Sequence, residues 1–183
     1  AGVTPGAITL MPGGGAIGAA LVEHEDVAGI AFTGSHTTAK TIHQTLAAKD
    51  GPIPALIAET GGLNAMIADS SALPEQLVDD VVASAFGSAG QRCSAARLLF
   101  VQEDIADHVC DMLGGAIAEL KLGDPGELAT DLGPVIDGNA RAMLEAHKQT
   151  LKSEAKRKIG EAPLPGGLEA NGHFCAPAAY ELA

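Results

Sequence analysis

Within the first sixty residues, short apolar runs stop at glycine turns and hand over to helical spacing. Ala7-Ile8-Thr9-Leu10-Met11 is stopped by Pro12-Gly13-Gly14-Gly15, and Ala16 to Glu23 follows as a short helix. Val27 to Phe32 is cut by Thr33-Gly34-Ser35, and Thr37 to Ala48 carries Ile42 and Leu46 four apart. Pro54 to Ala58 is a third run, closed by Glu59. Short apolar runs bounded by glycine mark buried strands, and their alternation with helices predicts a parallel α/β sheet. Aromatics are only 3% and Trp is absent, so the core must come from Ala, Leu, Ile and Val. Such a core suits helices packed tightly on a sheet.

Past Gly62 the pattern continues with other lengths. Ala65 to Ala68 is a strand, and Asp69-Ser70-Ser71 can cap the helix expected over Leu73 to Ala85. Arg97 to Val101 is a strand and Ile105 to Leu120 a long helix. Gly123 to Gly133 is loop, Asn139 to Lys158 helical and charged, and Gly160 to Gly172 loop again. Phe174 to Tyr180 is a final strand. A boundary falls near Glu59 to Leu63, where the Gly61-Gly62 pair permits a hinge.

A net charge of −12 repels phosphate backbones and anionic lipid, which argues against nucleic acid and membrane surfaces as partners. No apolar run approaches the ~20 residues of a membrane span. Cys93, Cys110 and Cys175 form no CxxC pair, and three free thiols fit a reducing, cytoplasmic compartment. The six histidines show no metal-ligand spacing and are expected at the surface or in structural roles, so no metal is expected.

Two segments carry chemistry. Ser88-Ala89-Gly90-Gln91-Arg92-Cys93-Ser94-Ala95 offers a thiol after a glycine, in a stretch that is neither clean helix nor clean strand. It lies 34 residues (93 − 59) beyond Glu59, which ends an apolar strand. A thiol nucleophile and a carboxylate base are the parts needed to form a thioester and then hydrolyse it. Taken singly, Cys93 is also readable as a buried small hydrophobe, and Glu59 as a solvated strand end. Cys110 and Cys175 fit that bland reading, one in a helix and one in a strand. Gly13-Gly14-Gly15-Ala16-Ile17-Gly18 could admit a phosphate to a helix N-terminus, although spacing alone favours an ordinary turn. Ser35 is an N-cap under either reading, with a hydroxyl that could also face a pyrophosphate.

Together, Phe32-Thr33-Gly34-Ser35, Glu59-Thr60-Gly61-Gly62 and Gly90-Gln91-Arg92-Cys93 resemble the aldehyde dehydrogenase superfamily in order and spacing. Pro12-Gly13-Gly14-Gly15 and Leu132-Gly133-Pro134-Val135-Ile136 extend the likeness over nearly the whole chain. The fuller runs Ala58 to Ile67 and Ser88 to Ala95 resemble its Δ1-pyrroline-5-carboxylate dehydrogenase branch, most of all modules fused to a proline dehydrogenase domain. That branch oxidises glutamate γ-semialdehyde to glutamate with NAD, in proline catabolism.

The resemblance implies a parallel-sheet α/β fold, with residues 1–59 part of an NAD-binding Rossmann-like domain and 60–183 part of a catalytic thiol domain. It implies Cys93 as nucleophile, with its N–H in the oxyanion hole, and Glu59 as the base that activates water. Ser94 would contact the substrate carboxylate. Ser35 and Gly34 would contact the cofactor pyrophosphate, Gly61 and Thr60 would lie near the nicotinamide, and Gly14 and Gly18 would belong to the cofactor loop. The parent would be a homo-oligomer. The chain opens without Met and lacks the family's upstream asparagine and lysine and its downstream glutamate. It is therefore expected to be an interior piece, inactive and self-associating alone. An aldehyde dehydrogenase of other specificity, a thiol-dependent acyltransferase and a non-catalytic α/β module are the alternatives.

Overall fold

The structure, a computed structural model, describes residues 2–182. The chain divides into two compact units, the first ending at Gly61 and the second beginning at Gly62. The first holds helix α1 (Gly15–Glu23), strand β1 (Gly29–Gly34), helix α2 (His36–Ala47) and strand β2 (Ala55–Thr60). Ser35 starts α2 by accepting the Thr38 N–H at 3.1 Å, so the expected N-cap forms. Ala39, Ile42 and Leu46 bury one stripe of this helix, as their three- and four-residue spacing requires. Ile42 and Leu46 pack with Val22 of α1 against Ile30, Phe32 and Leu56 of the strands. β1 and β2 run parallel, in register from Gly29–Ala55 to Gly34–Thr60.

Ala7 to Met11, expected as a strand, is bend and coil instead, with Ile8 80% and Leu10 88% exposed. An apolar run becomes a strand only when its N–H and C=O groups find a ladder, and no described strand pairs with this one.

The second unit holds strand β3 (Asn64–Ala68), helix α3 (Pro74–Phe86), strand β4 (Ala96–Val101) and helix α4 (Glu103–Glu119). Helix α5 (Gly138–Glu154) and strands β5 (Arg157–Glu161) and β6 (Ala178–Glu181) follow. β3 and β4 are parallel; β5 and β6 are antiparallel. Val78 and Val81 of α3 meet Val109, Leu113 and Ile117 of α4, and Leu122, Leu132, Ala162 and Phe174 complete this core. α4 approaches β5 so closely that a Cβ on Gly114 would stand 2.6 Å from the Ile159 carbonyl oxygen. The absence of a side chain at that point permits the packing.

Three expectations need correction here. Leu73, without a side-chain bond, stands at the start of α3, and Pro74 opens its first turn. Asp69 instead accepts the Ser71 N–H at 2.9 Å and the Ser71 hydroxyl, a local turn that holds its carboxyl pKa below the ordinary value. The charged helix expected to reach Lys158 ends at Glu154, and Arg157 and Lys158 lie in β5. Glu181 of β6 draws the chain there by pairing with Arg157 and, at 2.7 Å, with Lys156. The last strand covers only Ala178–Glu181, so Cys175 precedes it rather than lying within it. Among the described residues, no helix is long and apolar enough to cross a membrane.

Candidate active site

Parallel strands end at the same edge of a sheet, and that edge is where α/β ligand sites collect. In the first unit this places Thr33 beside Glu59 and Gly34 beside Thr60, with Ser35 and Gly61 the next residues of each strand. Five of the expected residues, Gly34, Ser35, Glu59, Thr60 and Gly61, therefore share one edge. Thr60 is half-buried and the other four are exposed. The Ser35 hydroxyl also lies 2.8 Å from Thr38 Oγ1. Ser35 satisfies the Thr38 N–H, leaving the N–H groups of His36 and Thr37 open, as the first turn of a helix does. At α1, Gly14 and Gly18 are exposed, and nothing stands within 4 Å of where either Cβ would be. Open N–H groups and side-chain-free backbone fit an anionic, phosphate-bearing group.

Cys93 is exposed, at the tip of the loop between α3 and β4. This loop is built from unusual backbone. Ser88 (φ 57°), Ala89 (φ 53°) and Gly90 (φ +67°) stand consecutively in the left-handed region. For Ser and Ala that conformation costs roughly 1–2 kcal/mol each and persists only where neighbours impose it. The neighbours are visible. The Arg97 guanidinium donates to the Gly90 carbonyl. The Ser88 carbonyl accepts from the Gln91 N–H at 3.1 Å, and the Ser88 hydroxyl from Arg92 Nε at 3.1 Å. Gln91 Oε1 in turn accepts the Ile136 N–H at 2.9 Å, tying the loop to the Gly133–Ile136 turn.

On its other side the loop meets Asn64, the first residue of β3. Its side-chain amide donates to the Cys93 carbonyl at 2.7 Å and the Ala95 carbonyl at 3.0 Å. The β3–β4 register steps from Asn64–Ala96 to Ala65–Leu98, which leaves Arg97 as the extra residue. Such bulges re-aim side chains beside functional sites. The thiol thus sits at the amino-terminal edge of its strand pair, whereas Glu59 sits at the carboxyl edge of its own. Ser94 is exposed next to it. Among the described residues the Cys93 N–H donates to no protein group.

Asn64, Gln91 and Arg97 were not singled out from the sequence. The available signal was an amide or guanidinium flanking the thiol segment, but which carbonyls they reach depends on the β3–β4 pairing. Cys110 and Cys175 are half-buried, as small hydrophobes should be. All six histidines are exposed, and no metal-binding cluster occurs among the described residues.

A profile of the Aldehyde dehydrogenase family matches residues 1–181. The chain belongs to the aldehyde dehydrogenase family. It is 51% identical to the Bifunctional protein PutA of Escherichia coli, over all of this chain and 14% of that protein. The crystal structure of a mutant proline utilization A (PutA) from Bradyrhizobium japonicum superimposes with a TM-score of 0.92 at 56% identity, over 99% of this chain and 18% of that one. A 1-pyrroline-5-carboxylate dehydrogenase from Thermus, solved with bound NAD, gives a TM-score of 0.81 at 30% identity, over 93% of this chain and 33% of that one. The chain therefore spans about one seventh of the length of its curated PutA relative. The parallel α/β fold expected from the glycine-punctuated strands is the fold of these relatives.

Proposed function

We propose that this segment belongs to an NAD-dependent dehydrogenase that oxidises glutamate γ-semialdehyde to glutamate in proline catabolism. Family membership together with an exposed thiol on a rigidly held loop carries the reading. The Cys93 thiolate adds to the aldehyde carbon, forming a C–S bond and moving the carbonyl electron pair onto oxygen. The unpartnered Cys93 N–H is available to that oxyanion. Nicotinamide dinucleotide, held at Gly34, Ser35, Thr60 and Gly61, would supply the hydride acceptor for oxidation of the thiol-bound carbon to a thioester. Glu59 then removes a proton from water, whose oxygen attacks the thioester, and the C–S bond breaks to release carboxylate and thiolate.

Ser94 is assigned the distal carboxylate of the substrate. Ser35 and Gly34, with the open start of α2, are assigned the pyrophosphate; Thr60 and Gly61 the nicotinamide end; and Gly14 and Gly18 the cofactor loop. Residues 1–59 are assigned to a dinucleotide-binding domain and 60–183 to the catalytic thiol domain. A Thermus relative with bound NAD supports this cofactor. A fused proline dehydrogenase domain is supported by the PutA relatives' description as bifunctional. A homo-oligomeric parent in the cytoplasm completes the proposal, the three free thiols fitting a reducing compartment.

The test uses the full-length polypeptide that contains this segment. NADH formation is followed with glutamate γ-semialdehyde and with propanal. Preference for the semialdehyde, abolished by Cys93→Ala, is expected. Ser94→Ala should raise KM for the semialdehyde alone, by the equivalent of ~1–3 kcal/mol for a charge-assisted hydrogen bond. Equal rates with both aldehydes would discard the proline-catabolism assignment, and activity surviving Cys93→Ala would discard the thiol mechanism.

A further inference from the structure

We infer that Asn64 is a positioning residue that sets the direction of the Cys93–Ser94 peptide, and through it the nucleophile and its neighbouring serine. The inference rests on Cys93 being the nucleophile. Both partners of the Asn64 amide are carbonyl oxygens, which only accept, so the –NH2 group must face them. Its two hydrogens serve two acceptors, at 2.7 Å and 3.0 Å. Those acceptors, on Cys93 and Ala95, bracket Ser94. A peptide unit is planar, so pinning the Cys93 carbonyl fixes the Cys93–Ser94 plane and the direction of the Ser94 N–H.

Asn64 is itself well anchored. It opens β3, pairs in register with Ala96 and is half-buried. Cys93 and Ser94 are exposed, and among the described residues neither backbone N–H has a protein partner. Without Asn64, the side of the loop facing β3 loses the two bonds that fix these carbonyls. A group on a strand, reaching into a loop, is the arrangement that holds reacting atoms to a narrow geometry.

The experiment compares Asn64→Asp, Asn64→Ala and Cys93→Ala in the full-length polypeptide. Values of kcat/KM for glutamate γ-semialdehyde are measured between pH 5 and 9, per native molecule counted from a melting curve. Asn64→Asp is nearly isosteric, but its carboxylate repels two carbonyl oxygens; once protonated it donates one hydrogen bond. We expect both Asn64 variants to lose roughly 10- to 100-fold in kcat/KM at pH 8, chiefly in kcat. Relative to wild type at each pH, Asn64→Asp should recover as pH falls, and Asn64→Ala should not. A purely structural asparagine would change melting but leave kcat/KM per native molecule at the wild-type level, which overturns the inference, as does a pH-independent loss in Asn64→Asp. Turnover surviving Cys93→Ala would instead overturn the nucleophile assignment. An inactive Cys93→Ala beside wild-type Asn64 variants would overturn only the positioning role.

Discussion

Gly90→Ala is the sharpest test of how the thiol loop is built. Gly90 sits at φ +67°, where an L side chain costs roughly 1–2 kcal/mol. A Cβ there would stand 2.9 Å from the Ala85 carbonyl oxygen and 3.1 Å from an Arg97 guanidinium nitrogen. The first is backbone and cannot swing away, so the turn itself must shift. Moving Gly90 also weakens the bond from Arg97 to its carbonyl, a charged hydrogen bond of about 1.5–3 kcal/mol. The combined cost is up to about 2.5–5 kcal/mol. With a urea slope of about 2 kcal/mol/M, the midpoint should fall by up to about 1.2–2.5 M. Cys110 is half-buried in α4, so the urea dependence of its labelling by a thiol reagent, read by mass spectrometry, reports on the second unit. Ala89→Gly is the control of opposite sign. Ala89 already lies at φ 53°, and removing its Cβ should leave stability unchanged or raise it by up to ~1 kcal/mol. Equal midpoints for Gly90→Ala and wild type would refute the reasoning that the left-handed turn, enforced by Arg97, holds Cys93 in place.

Two further predictions concern the charged cluster under β5 and β6. Lys148 is buried, 2.7 Å from Glu161, and donates to the Ala176 carbonyl at 3.2 Å. Its hydrogen bond is the main cause of the lowered Glu161 carboxyl pKa, so that pair stabilises the fold above about pH 4.5 and the contribution is lost as pH falls through the lower, folded value. Burial alone would depress Lys148, but Glu161 and Glu145 outweigh it and hold its pKa above the ordinary lysine value, so the alkaline loss begins only beyond that value. The urea-midpoint gap between wild type and Lys148→Met should therefore be flat at neutral pH and shrink toward pH 3; a gap unchanged at pH 3 would contradict this. Cys175 is pushed up to about 11, first by burial and then by the hydrogen bond its thiol donates to Glu145 at 3.2 Å. Its alkylation should keep rising toward pH 11, and Glu145→Gln should move that rise to lower pH; an unmoved profile would remove Glu145 as a cause.

Much of this protein was written locally. The parallel α/β class followed from apolar runs cut at Gly34 and closed at Glu59, because a strand and its turn are encoded within a few residues. The α2 cap at Ser35 and the Ile42–Leu46 stripe were equally local, as was the long helix over Ile105 to Leu120. Cys93 and Glu59 stood out because a thiol and a carboxylate at such turns carry chemistry. What failed was decided at a distance. Ala7 to Met11 has strand composition but finds no ladder among the described residues. Arg157 and Lys158 continue a helical charge pattern, yet pairing of Lys156 and Arg157 with Glu181, 24 or more residues later, places them at a strand. Asn64, Gln91 and Arg97 are ordinary polar residues until β3 and β4 pair and the chain returns near Ile136. The sequence by itself determined the α2 cap, its apolar stripe and most of the helices and paired strands, since caps and periodicity are properties of neighbours along the chain. Only the tertiary structure decided how the Cys93 loop is held, because the Asn64 and Gln91 side chains that tether it bond backbone groups 29 to 45 residues away.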